Sequence, residues 1–372
     1  MTVEVKPKAF EIPLSIELYR QANERGVTLS QYLEIIDPSD QYGPNEKLDA
    51  FQRQIKRVNE GIMAQGKNPI VLNSIPEKGI WASKVEAFYT TQESVVMFPE
   101  FINRVAREAL EADDILNEMV AMRTPIDSNA YRTIYIDTEK KPKQKKRVSE
   151  GAEIPVAEMK TSENTLKIYK YGRRIKATYE AIRRMRLDML ALHIRAIMRQ
   201  AGVDRAADAY KVLIDGDGNN NAAENYNRSS LTAADALDYA GWAKYLFKFY
   251  PYQMTSLIGG TDELVTFLTM AAPNVDPIRL IEQLRFGNSS QTGTMAQSIF
   301  NNYRIVYLPD ATANKLVGFD KRYALEMVVE IGSDLQEANR IIESQWEQIA
   351  ISEVNGFGII LPESRKTITL NA

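Results

Sequence analysis

The sequence predicts an α+β fold, and three observations predict it. Apolar residues recur at helical spacing over residues 98–122 and again over 187–214. The period drops to two over residues 130–137 and 164–171. The last third is a succession of short apolar runs separated by polar breaks. At 372 residues the chain has room for two or three domains, and the order of its elements reads as two intermingled ones.

Residues 1–79 alternate helix-prone charged pieces with breaks at Pro38, Pro44, Pro69 and Pro76, which reads as an arm with short helices and little core of its own. A small helical N-terminal domain is the other reading. In residues 98–122, Ile102, Val105 and Ala109, then Ile115 and Met119, mark one helical face, with Pro99 placed in the first turn. The strands at 130–137 and 164–171 flank a polar segment, so they form an extended hairpin. A hairpin alone is marginal and must lie against something, such as another subunit. Residues 174–186 return to helix. Asp188 then caps a long helix to about residue 214, on Leu190, Ile194 and Ile197, then Val203, Ala207 and Tyr210. Its apolar seam shifts phase near Gly202, which implies a bend or a change of partner. Asp215-Gly216-Asp217-Gly218 ends it. A helix over 233–249, a strand over 254–259 and a helix opened by Thr261 follow. Strands are expected at 303–308, 315–319, 325–331, 340–354 and 357–361.

Composition narrows the chemistry. Hydrophobic content is 44%, charged content 26% and net charge −3, which fits a soluble globular protein and not a polycation. With no Cys there is no disulfide, zinc-thiolate site or thiol nucleophile. The single histidine, His193, excludes histidine metal clusters, and no G-x-S-x-G, P-loop or G-x-G-x-x-G stands in the sequence. Asp215, Asp217 and Asn219 open like a calcium loop, but Asn220 and Tyr226 occupy the positions that need Gly and Glu. Gly356-Phe357-Gly358 reads as a turn between strands. No catalytic residue, metal site or cofactor is expected. An enzyme using two carboxylates stays open only as a remote reading, since nothing pairs two acids. The N-terminus lacks a signal-peptide core, and no apolar run approaches the roughly 20 residues of a membrane helix, so a cytosolic protein without membrane contact is expected.

Two basic clusters are the candidate contact residues. Lys140, Lys141, Lys143, Lys145, Lys146 and Arg147 crowd the hairpin tip. They suit a solvated tip, a nucleic-acid contact, or docking on an acidic patch of a neighbouring subunit. Arg173, Arg174, Lys176, Arg183, Arg184 and Arg186 form a second candidate face, toward an acidic partner, polyanionic DNA or solvent.

Several adjacent stretches together resemble the HK97-type major capsid proteins of tailed bacteriophages. They are GAEIPVAEMKTSENTLKIYKYGRRIKATYEAIRRM at 151–185, the long helix ending in LIDGDGN at 213–219, and the order FNNYRIVYLPDATANKLVGFDKRYAL then NGFGIILPES. The resemblance covers about residues 98–370 and lies in order and spacing, since no single motif is specific. It implies an HK97-like capsid fold divided into an N-terminal arm (1–79), the start of a peripheral domain (80–123), an extended loop (124–171), a peripheral segment with a spine helix (172–221), an axial domain (222–302) and completing strands (303–372). It also implies a structural protein that self-assembles, as pentamers and hexamers, into an icosahedral shell around a phage double-stranded DNA genome. Such a protein is made in the bacterial cytoplasm and resides in the virion, with a scaffolding protein, a portal and a decoration protein as partners and DNA contacted non-specifically. Many relatives begin with a long helical scaffolding segment that is cleaved off. Residues 1–79 are too short and Pro-broken for one, so the resemblance implies either scaffolding from a separate protein or a chain already in its mature form. An encapsulin-like compartment packaging cargo enzymes shares the fold and is the alternative.

Overall fold

The computed structural model describes residues 12–42, 48–112, 115–128, 130–136, 147, 159–161, 165–233, 236–269, 303–331, 335–341 and 346–370. The chain forms two compact units, each discontinuous in sequence: residues 1–113, 170–200 and 331–354, and residues 114–169, 201–330 and 355–372.

In the first unit, α1 (Ile16–Glu24), α2 (Leu29–Ile36), α3 (Ala50–Ala64) and α4 (Gln92–Ala112) share one core with the start of a later long helix. Leu18, Leu33, Phe51, Ile55 and Ile62 are buried with Phe88, Phe98, Phe101 and Ile194. The local causes lie in the sequence. Thr28 and Gln31 form a capping box at α2, and Asp49 and Gln52 form another at α3. The described residues of the segment read as an arm are built into this shared helical core. Pro99 is corrected, since it lies inside α4 and not in its first turn, because the helix already starts at Gln92.

The chain then forms β1 (Met122–Ile126), β2 (Ile134–Ile136), β3 (Met159–Thr161) and β4 (Tyr169–Thr178). Residues 174–178, read as helix, continue β4, where pairing with a later strand overrides local helix preference. Two helices follow, α5 (Tyr179–Arg184) and α6 (Leu187–Asp215). Asp188 is the second residue of α6 and not its cap. It accepts a hydrogen bond from Ser74 Oγ at 2.7 Å, which, with the Met189 amide and Arg186, holds its carboxyl below the usual range. The phase shift along α6 is real. Leu187, Leu190, Ala191, Ile194 and Met198 are buried in the first core, whereas Ala206, Ala209, Tyr210 and Leu213 belong to a core of the second unit. At about 100° per residue the buried stripe turns by roughly 90° between them.

The second unit continues with β5 (Glu224–Asn227), α7 (Arg228–Leu231), α8 (Tyr239–Phe247), β6 (Ser256–Gly259), α9 (Thr261–Leu268), β7 (Arg304–Tyr307), β8 (Lys315–Phe319) and β9 (Leu325–Glu330). β10 (Leu335–Ile341), β11 (Trp346–Ile359) and β12 (Arg365–Thr369) finish the chain. One sheet runs in the order β5-β12-β8-β6-β7. Both its faces are covered. Val317, Phe319 and Ile258 pack with Tyr210 and Leu213 on one side; Leu316, Leu257 and Ile368 pack with Trp242, Tyr245 and Phe267 on the other. Burial on both faces explains the unbroken apolar runs of β6 and β8. β11 serves both units. Its first half pairs antiparallel with β10, and Asn355–Ile359 pairs antiparallel with β9, which pairs parallel with β1. The single strand expected at 340–354 is therefore two, its second part fusing with 357–361, and β12 was not foreseen.

The turn after α6 is built from its own residues. Gly216 and Gly218 take φ of 85° and 93°. A Cβ on Gly216 would collide with Asn221 Oδ1, so with its positive φ glycine is required there. Asp217 accepts the amides of Asn219 at 3.1 Å and Ile359 at 2.9 Å, tying the turn to β11. Arg365 enters from β12 fully buried and donates to Leu213 O and Asn221 O, supplying a cation to the C-terminal end of the helix.

Candidate functional site at the hairpin stem

The hairpin expected from the period-two pattern is present at its base. β2 pairs antiparallel with β3, Ile134 opposite Thr161 and Ile136 opposite Met159, and Tyr131 bridges Leu166 further down. The return strand is therefore not the continuous 164–171 expected but β3, a bridge and then β4.

The stem rests on β11 and β9. Gly356 and Gly358 lie within β11, not in a turn, and on one face of it, being two residues apart. A Cβ on Gly356 would stand 2.8 Å from Lys167 O, and one on Gly358 would stand 2.7 Å from Thr133 Cγ2. Glycine at 356 serves close approach of another backbone and at 358 that of a side chain, and close approach is what isolated glycines in a strand pattern signal. Beneath the stem, Leu166, Ile126 and Val328 are buried in a small cluster of their own, with Tyr131 and Ile168 packed against it. Such satellite clusters form under long loops.

One carboxylate organises the polar side of this seat. Glu326 on β9 is 4% exposed. It accepts from Tyr131 Oη at 2.8 Å and from Thr124 Oγ1 on β1. Burial, then the hydrogen bond to Glu326, pushes the Tyr131 phenol up to about 12, so it stays a donor throughout the neutral range. Outward, Ile134 on β2 is 60% exposed, while its neighbour Thr133 is buried against β11. None of Tyr131, Glu326, Thr124 or Ile134 was singled out in the sequence. A carboxylate inside the apolar run of β9 was the signal available.

The basic residues foreseen are placed as follows. Lys140, Lys141, Lys143, Lys145 and Lys146 lie outside the described residues, and Arg147 is exposed. Arg173 and Arg174 are exposed at consecutive positions of β4, so they point to opposite faces. Of Lys176 and Arg183 only the backbone is described, on β4 and α5. Arg184 is exposed. Arg186 is engaged within the chain: it lies over the Trp81 ring at 4.9 Å, donates to Ser74 Oγ at 3.2 Å and stands 3.8 Å from Asp188. A run contiguous in sequence is thus not one continuous surface.

Among the described residues no group of His, Asp or Glu could hold a metal ion, and no helix is long and apolar enough to cross a membrane. His193 is exposed on α6. What the site offers is a seated hairpin with an apolar outer position and a strongly basic sequence beyond it, which suits association.

Residues 162–343 match the family model described as phage capsid protein. No curated protein sequence matches the chain. Among solved structures, a phage-related protein from Bordetella bronchiseptica RB50 is similar over 73% of this chain and 96% of that one, at 12% identity and a TM-score of 0.50. That likeness is one of fold. A chain of the satellite phage P4 procapsid covers 72% of this chain and 98% of its own length, at 12% identity and a TM-score of 0.44. A chain of Mycobacterium phage Bobi covers 69% and 90%, at 12% identity and a TM-score of 0.45.

Proposed function

We propose that the chain is a phage capsid protein with an HK97-like α+β fold, a shell-forming structural component and not an enzyme, and that its hairpin makes the contact between copies. The observation that carries this reading is the hairpin stem, which seats one face on β11 and β9 while holding Ile134 out in solvent. An exposed branched apolar side chain beside a basic run gains most by being covered by a neighbour. In this reading residues 124–171 are the extended loop, residues 187–214 the spine helix and residues 222–302 the axial domain. Pentamers and hexamers of the chain close a shell around double-stranded DNA, assembled in the bacterial cytoplasm. A separate scaffolding protein, a portal and a decoration protein are its partners. A compartment around cargo enzymes is less supported, since the family matched is that of phage capsids.

The test is electron microscopy of the protein expressed with its neighbouring genes, for wild type and for a variant with Lys140, Lys141, Lys145 and Lys146 changed to Glu. Wild type is expected to give shells, tubes or capsomer rings. The variant is expected to stay folded, its stability within about 0.5 kcal/mol of wild type as for surface substitutions, yet to give no closed shells. Normal shells from it would remove the tip from the interface. A wild-type monomer that persists with all partners present would overturn the contact reading altogether.

A further inference from the structure

We propose that the exposed side of α6, from Met189 to Arg199, is a docking face for one amphipathic helix of another protein, apolar along its seam and acidic along its flanks. The inference stands apart from what the hairpin does.

The first half of α6 is apolar on two sides, and the described residues cover only one of them. Leu190, Ala191, Ile194 and Met198 are buried in the first core. On the other side Met189 and Leu192 are 46% and 56% exposed, and Ala196 is exposed one turn further on. A surface helix needs one apolar stripe; a second one calls for a second cover. The positions 189, 192 and 196 follow the three-and-four spacing of a two-helix seam. Trp81 extends this strip at its N-terminal end. It is exposed and lies under the Arg186 guanidinium at 4.9 Å. Its loop is pinned to α6 by Ser74, whose hydroxyl donates to Asp188 and accepts from Arg186. Trp and Arg held in place beside aliphatic side chains are what binding hot spots are made of.

Charge says which helix fits. At about 100° per residue, Arg195 and Arg199 fall along one flank of the seam, and Arg186 and His193 along the other. Arg195, Arg199 and His193 are exposed. From Met189 to Val203 the sequence carries no carboxylate. Arg195 meets Glu108 at 3.3 Å, but both groups are exposed, so that contact is exchanged for another at little cost. Flanking charges choose the partner of a helical seam, and these favour carboxylates opposite them. A second copy offering the same face, as a two-fold contact must, would set arginine against arginine.

The test uses the absence of Cys from the chain, so that His193→Cys places a single thiol beside the seam and leaves the seam intact. The full-length soluble variant is treated with N-ethylmaleimide alone, or with a helical peptide of about three heptads carrying Leu along its seam and Glu on its flanks. A second peptide has Lys for every Glu. The thiol of the free chain is expected to react as fast as an exposed thiol. The Glu peptide is expected to slow it by about tenfold and the Lys peptide to leave it unchanged, and the protection should fall as salt is raised. Adding Leu192→Glu is expected to abolish the protection without changing the circular dichroism. Protection by both peptides alike, or by neither, would overturn the proposal. A thiol that is already slow in the free chain would also overturn it, by showing that the chain covers its own face. So would self-association of wild type in sedimentation that Leu192→Glu removes, since the occupant would then be a second copy.

Discussion

Replacing Arg365 by Ala is expected to lower stability by about 3–5 kcal/mol, as for a buried, hydrogen-bonded polar side chain that leaves a cavity. Arg365 has no exposed surface and stands on β12 opposite Phe319. Its guanidinium is the donor to Leu213 O, in the last turn of α6, and to Asn221 O beyond the turn. Carrying a cation this deep is itself unfavourable, and burial, opposed by Asp217, pushes its pKa down to about 10. The net benefit comes from the two carbonyls, each of which would cost about 1–3 kcal/mol if left buried without a donor. The variants should therefore rank by what they leave behind. Arg365→Met keeps the volume, drops the charge and orphans both carbonyls, so it should fall between wild type and Arg365→Ala. Arg365→Lys keeps the charge but offers one compact ammonium where a planar fork spans two acceptors, so it should not restore wild-type stability. Urea unfolding of the three variants measures the order. Arg365→Ala within 1 kcal/mol of wild type would mean that water serves both carbonyls equally well.

How far the sequence reveals this fold depends on whether each cause is local. The long helix and its DGDG stop are legible because helical spacing, glycine at positive φ and an aspartate turn are all encoded within a few residues. The phase shift near Gly202 was readable for the same reason, and it does mark a change of core. The capping boxes at Thr28 and Asp49 were equally readable, yet the prolines around them suggested an arm, and only burial of Phe51 and Ile62 with Phe98 and Phe101 settles the matter. The non-local causes stayed hidden. β4 outruns its alternating pattern because it is paired with β11, residues away in sequence but not in the sheet. Arg365 reads as one more surface cation until its register opposite Phe319 places it under the helix end. At the hairpin, the glycines of NGFGI read as a turn. A turn and close approach within a strand both select glycine, and only the position of Lys167 and Thr133 tells them apart.

The N-terminal helices offer the second large effect, through a buried ion pair. Arg53 on α3 and Asp37 after α2 are 7% and 2% exposed, with Nε 2.9 Å from Oδ2. Arg53 also donates to Asp37 O at 2.6 Å and to Leu48 O at 2.7 Å, and lies over the Tyr42 ring at 4.2 Å. Tyr42 in turn donates to Asp37 Oδ1 at 2.7 Å. Every charge here is matched, so removing one partner strands the other. Asp37→Ala and Arg53→Ala should each cost about 3–5 kcal/mol, the range for breaking a buried pair. The double change Asp37→Leu with Arg53→Met should cost less than either, because it strands no charge, although it frees Leu48 O and the Tyr42 hydroxyl. Thermal unfolding followed by circular dichroism measures all three. The consequence reaches beyond the pair. α1 to α3 cover Phe98, Phe101 and Ile194, so a chain begun at residue 80 would leave that face of α4 and α6 bare. It is expected to aggregate, whereas an arm that only reaches to a neighbour could be cut away and leave a soluble body. Recovery of a soluble, cooperatively unfolding chain from residue 80 onward, with Asp37→Ala harmless in the full chain, would show the segment to be such an arm after all.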